Sequence, residues 1–327
     1  MLKIAMLSSW HVHAGGYAQQ INRRKDATVT AVWDENPENG KKFAAELSVD
    51  FEPDLDKLLA RTDVDAVCVN APTNMHREVM VKAANAGKHI FTEKVLALSI
   101  EDCEAIKSAV EKNNVKFCIS FPHRTFPHNL LAKKVVEDKI LGRITLFRVR
   151  NAHNGASANW LPSHFYDETQ CGGGAMIDLG AHPMYLIRWL MGKPAEMSSA
   201  FTKVTDHAVE DNAVSVMKYA DGAIAISETG FVSGASPFML EMYGTDGTFI
   251  VNGNKVSLCS PKVTTAGFGG FVTPNELPQS LPDPISQFVD GVLYDKEIIF
   301  GMQDAIELTE MMVAAYKSHK QNAFVAV

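Results

Sequence analysis

Through its first 120 residues the chain alternates short runs rich in Val, Ile and Ala with longer stretches of helical composition. That rhythm restricts the fold more than any other feature. Residues 4–7, 29–33, 66–69, 89–91 and 116–119 read as strands, and residues 17–24, 37–47, 55–60, 75–86 and 100–112 as helices. Gly87, just past the fourth helical stretch, has the character of a helix stop. Repetition of strand, helix, strand predicts a parallel, doubly wound sheet with right-handed crossovers, covered on both faces.

The rhythm changes at Phe121-Pro-His-Arg-Thr-Phe-Pro127, a breaker-rich segment followed by a helix-like stretch over 129–139. Longer alternating runs then occupy 144–150, 209–219, 223–229, 238–243 and 248–251. The dipeptides Asp221-Gly222, Asp246-Gly247 and Asn252-Gly253 separate several of them, as hairpin turns would. Two late helices are expected at about 285–293 and 302–319. The fold class is therefore α/β. Residues 1–120 are expected to form the doubly wound domain. Residues 121–327 are expected to form a second α/β domain built on a large, mostly antiparallel, open sheet.

Composition narrows the function. A formal net charge of −7 and a pI near 5.9 do not fit a nucleic-acid partner, which needs clustered Lys and Arg. No apolar run approaches the roughly 20 residues of a membrane-spanning helix, and residues 3–7 read directly as a strand rather than as part of a signal peptide. Cysteines stand at 68, 103, 118, 171 and 259, an odd number without a CxxC. Neither a disulfide framework nor a structural zinc site is expected, and a reducing cytoplasm fits.

In a doubly wound sheet, ligands bind where the strands end. The first strand runs into Ser8-Ser9-Trp10-His11-Val12-His13-Ala14-Gly15-Gly16, in which the three glycine positions of the GxGxxG fingerprint hold Ser8, Trp10 and His13. Trp10 cannot give a pyrophosphate the close backbone approach that glycine allows. The phosphate is then left to a wider loop, with Ser8 or Ser9 and the N–H groups of the next helix, or is bound loosely. The second strand ends in Asp34, 26 residues after Ser8, near the spacing at which a carboxylate accepts the ribose hydroxyls of NAD and repels the 2′-phosphate of NADP. Taken alone, Asp34 is equally a turn aspartate. Two further strand ends, Ala71-Pro72-Thr73 with His76 and Glu93-Lys94, are polar and would line the same crevice.

The stretch from Cys171 to Trp189 carries the chemistry of the second half. If helical from about Gly174, it places Asp178, His182, Tyr185 and Trp189 on one face. A carboxylate four residues before an imidazole can fix its tautomer and raise its basicity, which suits a general base. Pro183 is the obstacle to that spacing if the helix starts there. His153, Asn154, Trp160, His164 and Tyr166, in the preceding loop, are candidates for sugar contact or ordinary loop residues. His11, His13, His123 and His128 lack a Cys or carboxylate at ligand spacing, so no metal site is expected.

Together these motifs resemble the Gfo/Idh/MocA oxidoreductases, the group that includes glucose-fructose oxidoreductase and the inositol dehydrogenases. The resemblance rests on the Pro72-Thr73-Asn74 turn with His76, Glu93-Lys94, Arg124 to Pro127, and the Gly-rich run leading to Asp178 and His182. It implies a dinucleotide-binding Rossmann domain over residues 1–120 and an NAD-dependent enzyme that moves a hydride to or from a hydroxyl carbon of a sugar, inositol or related polyol. Lys94 would contact the substrate hydroxyl and the nicotinamide ribose, and His182 would be the acid/base. Asp178 would bind substrate or orient the histidine, with Arg124 as a wall of the substrate site. Ser8, Trp10, His11, Asp34, Ala71, Pro72, Thr73, His76 and Glu93 would join Lys94 around the cofactor. Tyr185, Trp160 and His153 would face the substrate. A homodimer or homotetramer is implied. The chain departs from the family pattern in its phosphate loop, in Val95 where proline usually follows the lysine, and in Tyr185 where many members have a second aspartate. The resemblance also leaves open an enzyme that recycles its NAD, as a glycosidase or epimerase of the same group would, and the departures leave open a non-catalytic sugar or nucleotide sensor.

Overall fold

The structure, a computed structural model, describes residues 1–263 and 270–327. In chain order the elements are β1 (Leu2–Leu7), α1 (Ala14–Arg23), β2 (Ala27–Trp33), α2 (Pro37–Leu47), β3 (Asp50–Phe51), α3 (Leu55–Leu59), β4 (Ala66–Val69), α4 (His76–Asn85), β5 (His89–Thr92), α5 (Ile100–Lys112) and β6 (Phe117–Ile119). They continue with α6 (Pro127–Glu137), β7 (Ile144–Ala152), α7 (Glu168–Cys171), α8 (Ala181–Met191), β8 (Glu196–Thr202), β9 (Asn212–Lys218), β10 (Ile224–Gly230), β11 (Met239–Gly244), β12 (Gly247–Asn252), β13 (Lys255–Cys259), α9 (Pro284–Tyr294), α10 (Met302–Gln321) and β14 (Val325–Ala326). The chain divides into two compact units, Met1–Phe121 with Pro282–Thr309, and Pro122–Leu281 with Glu310–Val327.

The first unit holds a six-stranded sheet in the order β3-β2-β1-β4-β5-β6, parallel throughout. Strand order reverses between β1 and β4, the switch point where such sheets open a crevice. Leu7 pairs with Trp33 and Val69, Val69 with Thr92, and Thr92 with Ile119. Ser8, Asp34, Asn70, Glu93 and Ser120 therefore leave the sheet side by side. β4 and β6 are buried along their whole length, which is why their sequences are continuous apolar runs rather than alternating ones. Helix starts follow local chemistry. Asn36 caps α2 ahead of Pro37, and Ser99 caps α5 through the Asp102 N–H.

Residues 282–309 pack with this first unit rather than with the second, where the sequence reading had put them. The reason is visible in the contacts. Phe288 of α9 lies 5.9 Å from the Phe91 ring, Asp290 pairs with Arg24 at 2.6 Å, and the Ile119 N–H donates to the Phe300 carbonyl at 3.0 Å. α9 thus covers apolar surface that β5 would otherwise leave to water.

The second unit is an eight-stranded sheet in the order β13-β12-β11-β7-β10-β9-β8-β14. Every pairing is antiparallel except β7 with β10. One face alternates into the core, as in β9 (buried at Ala213, Ser215 and Met217), and α8 packs over β7 and β10. On the other face Arg148 bridges Glu228 and Glu241 at 2.9 and 3.0 Å. Among the described residues no helix is long and apolar enough to cross a membrane, and all five cysteines are buried free thiols.

Candidate functional site

In the first unit the β1 loop keeps a sharp turn without glycine. Ser8 adopts φ 73°, a conformation that costs a side-chain-bearing residue about 1–2 kcal/mol. Its hydroxyl offsets part of this by accepting the Trp10 N–H at 3.0 Å. Asp34 organises the same loop. Its Oδ2 accepts both the Ser9 N–H (2.8 Å) and the Ser9 hydroxyl (2.7 Å), and its Oδ1 accepts the Asn36 N–H (2.8 Å). The carboxylate is buried, and with two lone pairs per oxygen it has one acceptor position left on Oδ1. Glu35, which the sequence reading overlooked, stands beside it. Burial pushes its carboxyl up from the usual value, and its Oε2 is enclosed without a hydrogen-bond partner.

The glycines lie further along than the fingerprint would have them. Gly15 and Gly16 open α1, and a Cβ built on either meets nothing within 4 Å. A cleft of about 340 Å³ sits here, lined on one side by Ser9, His11 and Gly15 and on the other by Asn39, Lys42 and Phe43 of α2. No side chain caps α1, so its first-turn N–H groups keep the anion-binding character of a helix N-terminus.

Glu93 and Lys94 are not a solvated pair. Both are buried. The Glu93 Oε1 accepts from the Tyr17 hydroxyl and lies 2.8 Å from His13 Nδ1 and 3.8 Å from His11 Nδ1, while Oε2 accepts the Lys94 N–H at 3.0 Å. Tyr17 in turn meets the Ser120 hydroxyl at 2.7 Å. Burial alone pushes the Glu93 carboxyl up, but His11, His13 and Lys94 act the other way and hold it well below the usual carboxylate range. The carboxylate that ligand spacing failed to supply to His11 and His13 thus arrives from 80 residues away. The Lys94–Val95 peptide bond is cis.

His76 is enclosed, with Nδ1 at 3.1 Å from both the Val95 and Leu96 carbonyls and Nε2 at 3.1 Å from that of Ala71. Its ring ties the turn at Ala71, Pro72 and Thr73 to the segment after Lys94, and burial lowers its pKa.

In the second unit the helix starts later than the sequence suggested. Residues 174–180 form successive turns, and α8 begins at Ala181 with Gly180 as its N-cap. Pro183 falls in the first turn, where no intrahelical donor is lost, so it starts the helix rather than kinking it. The run of glycines has a packing reason. A Cβ on Gly173 would lie 2.0 Å from the Tyr316 hydroxyl, and one on Gly174 2.1 Å from the Glu210 carbonyl oxygen. The Glu210 carboxylate accepts the Gly174 and Met176 N–H groups at 3.0 Å each and the Tyr316 hydroxyl at 2.5 Å. What approaches these glycines is the protein itself.

His182 Nδ1 lies 2.9 Å from the Tyr185 hydroxyl oxygen, which also accepts the His123 N–H at 3.1 Å. The His123 ring stacks on His182 at 4.4 Å and 16°. The group at Nδ1 is thus a phenol one turn on along α8. The negative charge of Asp178 acts on His153, whose pKa burial lowers and Asp178 raises in part. His153 stacks on Phe231 at 5.1 Å and lies 4.6 Å from the exposed Trp160 ring. Arg124 is buried, its guanidinium 5.0 Å from the Trp189 ring centre. His123 and Phe238, which meet edge to face at 5.2 Å, were not among the expected site residues. Their signal was hidden, because only the fold brings His123 onto His182 and Phe238 against His123.

Comparison with known proteins agrees with this architecture. Residues 13–121 match the oxidoreductase family with an NAD-binding Rossmann fold, and residues 129–250 match the GFO/IDH/MocA C-terminal domain. The chain is 29% identical to a 2,7-anhydro-N-acetylneuraminate hydratase of Mediterraneibacter gnavus over 76% of its own length and 66% of the relative's. It is 28% identical to a levoglucosan dehydrogenase of Pseudarthrobacter phenanthrenivorans over 58% of its length and 56% of that protein's. In these alignments it thus spans less than two thirds of either relative. The structure of a levoglucosan dehydrogenase in complex with NADH and levoglucosan superposes with a TM-score of 0.85 at 21% identity, covering 100% of this chain and 99% of that one. With both halves matched, the resemblance read from the motifs is borne out, and the chain belongs to the Gfo/Idh/MocA oxidoreductase family.

Proposed function

We propose that this protein is an NAD-dependent oxidoreductase that moves a hydride between the nicotinamide and a hydroxyl-bearing carbon of a sugar, inositol or related polyol. The observation that carries the reading is the buried Glu93–Lys94 pair on the same sheet end as Asp34 and the Ser8–His13 loop. Buried ionisable groups with shifted titration, gathered at the ligand-binding end of a doubly wound sheet, are what a functional site requires. In this reading Asp34, with Glu35 beside it, accepts the ribose hydroxyls and disfavours NADP. The first turn of α1 with Ser8, Trp10 and His11 receives the diphosphate, and the 71–73 turn held by His76 borders the nicotinamide. Lys94 polarises the substrate oxygen. His182 is the acid/base, and with its Nδ1 proton donated to Tyr185 it keeps the Nε2 lone pair for proton removal. Asp178, Arg124, His153 and Trp160 bind substrate hydroxyls and ring faces.

The test follows reduced-nicotinamide absorbance with NAD and a panel of aldoses, anhydrosugars and inositols. Wild type gives net NADH with at least one of them. Lys94→Ala and His182→Ala each lower turnover ~10²–10⁴-fold while NAD still binds. Full activity in both variants refutes the assignment. A second reading is favoured by the relative named a hydratase: the cofactor is reduced and reoxidised within one cycle, so substrate disappears without net NADH. We further propose a cytoplasmic location and a homodimer or homotetramer assembled through the outer face of the eight-stranded sheet.

A further inference from the structure

We propose that His11, His13 and Glu93 form a site for one divalent transition-metal cation of the zinc class at the N-terminal end of α1. One ligand atom from each residue lies within 4.8 Å of the other two, and both histidines turn Nδ1 toward Glu93 Oε1. A tetrahedral zinc ion, with bonds of about 2.0–2.1 Å, sets its ligands roughly 3.3 Å apart. The two distances to Glu93, 2.8 and 3.8 Å, bracket that value. Closing around a cation therefore needs movements of about half an ångström, most of it available to the half-exposed His13 ring.

The surroundings suit a metal as well as the ligands do. Glu93 is sealed from water and needs positive charge beside it. Two of its three remaining lone pairs are met by the Tyr17 hydroxyl and the Lys94 N–H, and Tyr17 is held in turn by Ser120. Outer hydrogen bonds of this kind orient a ligating carboxylate. The loop is fixed at its base by the His11 N–H on the Asn70 carbonyl at 3.1 Å. The cation displaces the 3.3 Å bond from the His13 N–H to His11 Nδ1 and the 2.8 Å hydrogen bond between His13 Nδ1 and Glu93 Oε1, whose proton is released to solvent as the metal enters. Two imidazoles and one carboxylate select zinc, cobalt or nickel over magnesium or calcium, which require more oxygen ligands. A fourth position is left toward the cleft that His11 lines, open to water or to an anionic oxygen.

The experiment uses the full, untagged chain stripped with chelator and titrated with Co²⁺, then with Zn²⁺. The expected result is a visible d–d spectrum of four-coordinate intensity that saturates at one equivalent and is abolished by Zn²⁺. His13→Ala and His11→Ala each weaken binding by at least ~10-fold, the loss usual even for an outer-shell partner, with unchanged circular dichroism. His13→Asp, which restores a ligand, recovers it in part. Absence of saturable binding at one equivalent overturns the proposal, as does equal binding by the folded His11→Ala/His13→Ala double variant. In those cases a shared proton, not a metal, joins His13 to Glu93. Neither cofactor nor substrate enters the measurement, so its failure leaves the hydride-transfer reading intact.

Discussion

Replacing Glu210 by alanine removes the acceptor that holds the glycine run ahead of α8. Three donors lose their partner: the N–H groups of Gly174 and Met176 and the hydroxyl of Tyr316. An enclosed donor left without an acceptor costs about 1–3 kcal/mol. A cleft of about 300 Å³ lined by Gly173, Glu210 and Tyr316 adjoins them, so water can enter and the lower end applies to each. The expected loss is about 3 kcal/mol, a fall of roughly 6–12 °C in the melting of a unit this size. Glu210→Gln keeps one acceptor oxygen but turns an amide nitrogen toward the Gly174 N–H, which now bonds both carboxylate oxygens. It should cost about 1 kcal/mol. Thermal unfolding followed by near-ultraviolet circular dichroism reports both units, the second through Trp160 and Trp189 and the first through Trp10 and Trp33. If Glu210→Ala melts within the ~0.5 kcal/mol spread of neutral surface substitutions, the carboxylate does not organise this segment, and the packing reason given for the glycines is wrong.

Further outcomes follow from the same geometry. Gly174→Ala, whose Cβ would meet the Glu210 carbonyl at 2.1 Å, should destabilise by about 2 kcal/mol or more, because backbone cannot move aside cheaply; a melting curve like that of wild type would contradict this. Tyr185→Phe removes the acceptor of the His123 N–H and the partner of His182 Nδ1. It should cost about 1–2 kcal/mol in stability and lower turnover by ~10-fold or more, with kcat falling rather than KM rising. The Glu93 carboxyl is held below its ordinary value of 4.5, so its contribution to stability is complete above that pH. It is lost as the pH falls toward the folded value, and Glu93→Gln should flatten that part of the stability–pH curve. The five buried thiols should react with a disulfide reagent only slowly in the native protein and all together on denaturation.

The parallel half of the fold was legible because its strands are buried on both faces and its helices are amphipathic. The runs at 4–7, 29–33, 66–69 and 89–91 fall within a few residues of β1, β2, β4 and β5. β3 is only two residues long, too short to show a period. β8 alternates in burial, but its Ser198, Ser199 and Ala200 give no apolar pattern to read. In the candidate site, Asp34 and Lys94 were visible as polar residues at strand ends. Glu93 was found too, but its link to His11 and His13 was not, since nothing local connects residue 13 with residue 93. The start of α8 was misjudged for a related reason. Gly174 to Gly180 makes helix-like bonds, such as Asp178 N–H to the Gly174 carbonyl, yet it does not join the helix. Only the position of Pro183 hinted at that break.

The most direct measurement follows isotope. Protein, NAD and an active polyol carrying deuterium on its carbinol carbon are incubated together, and the cofactor is recovered for mass spectrometry. The account predicts one deuterium on the nicotinamide ring, formed by wild type and lost with His182→Ala or Lys94→Ala. Substrate consumed while the label never enters the cofactor, in exchange or in net reduction, would contradict it.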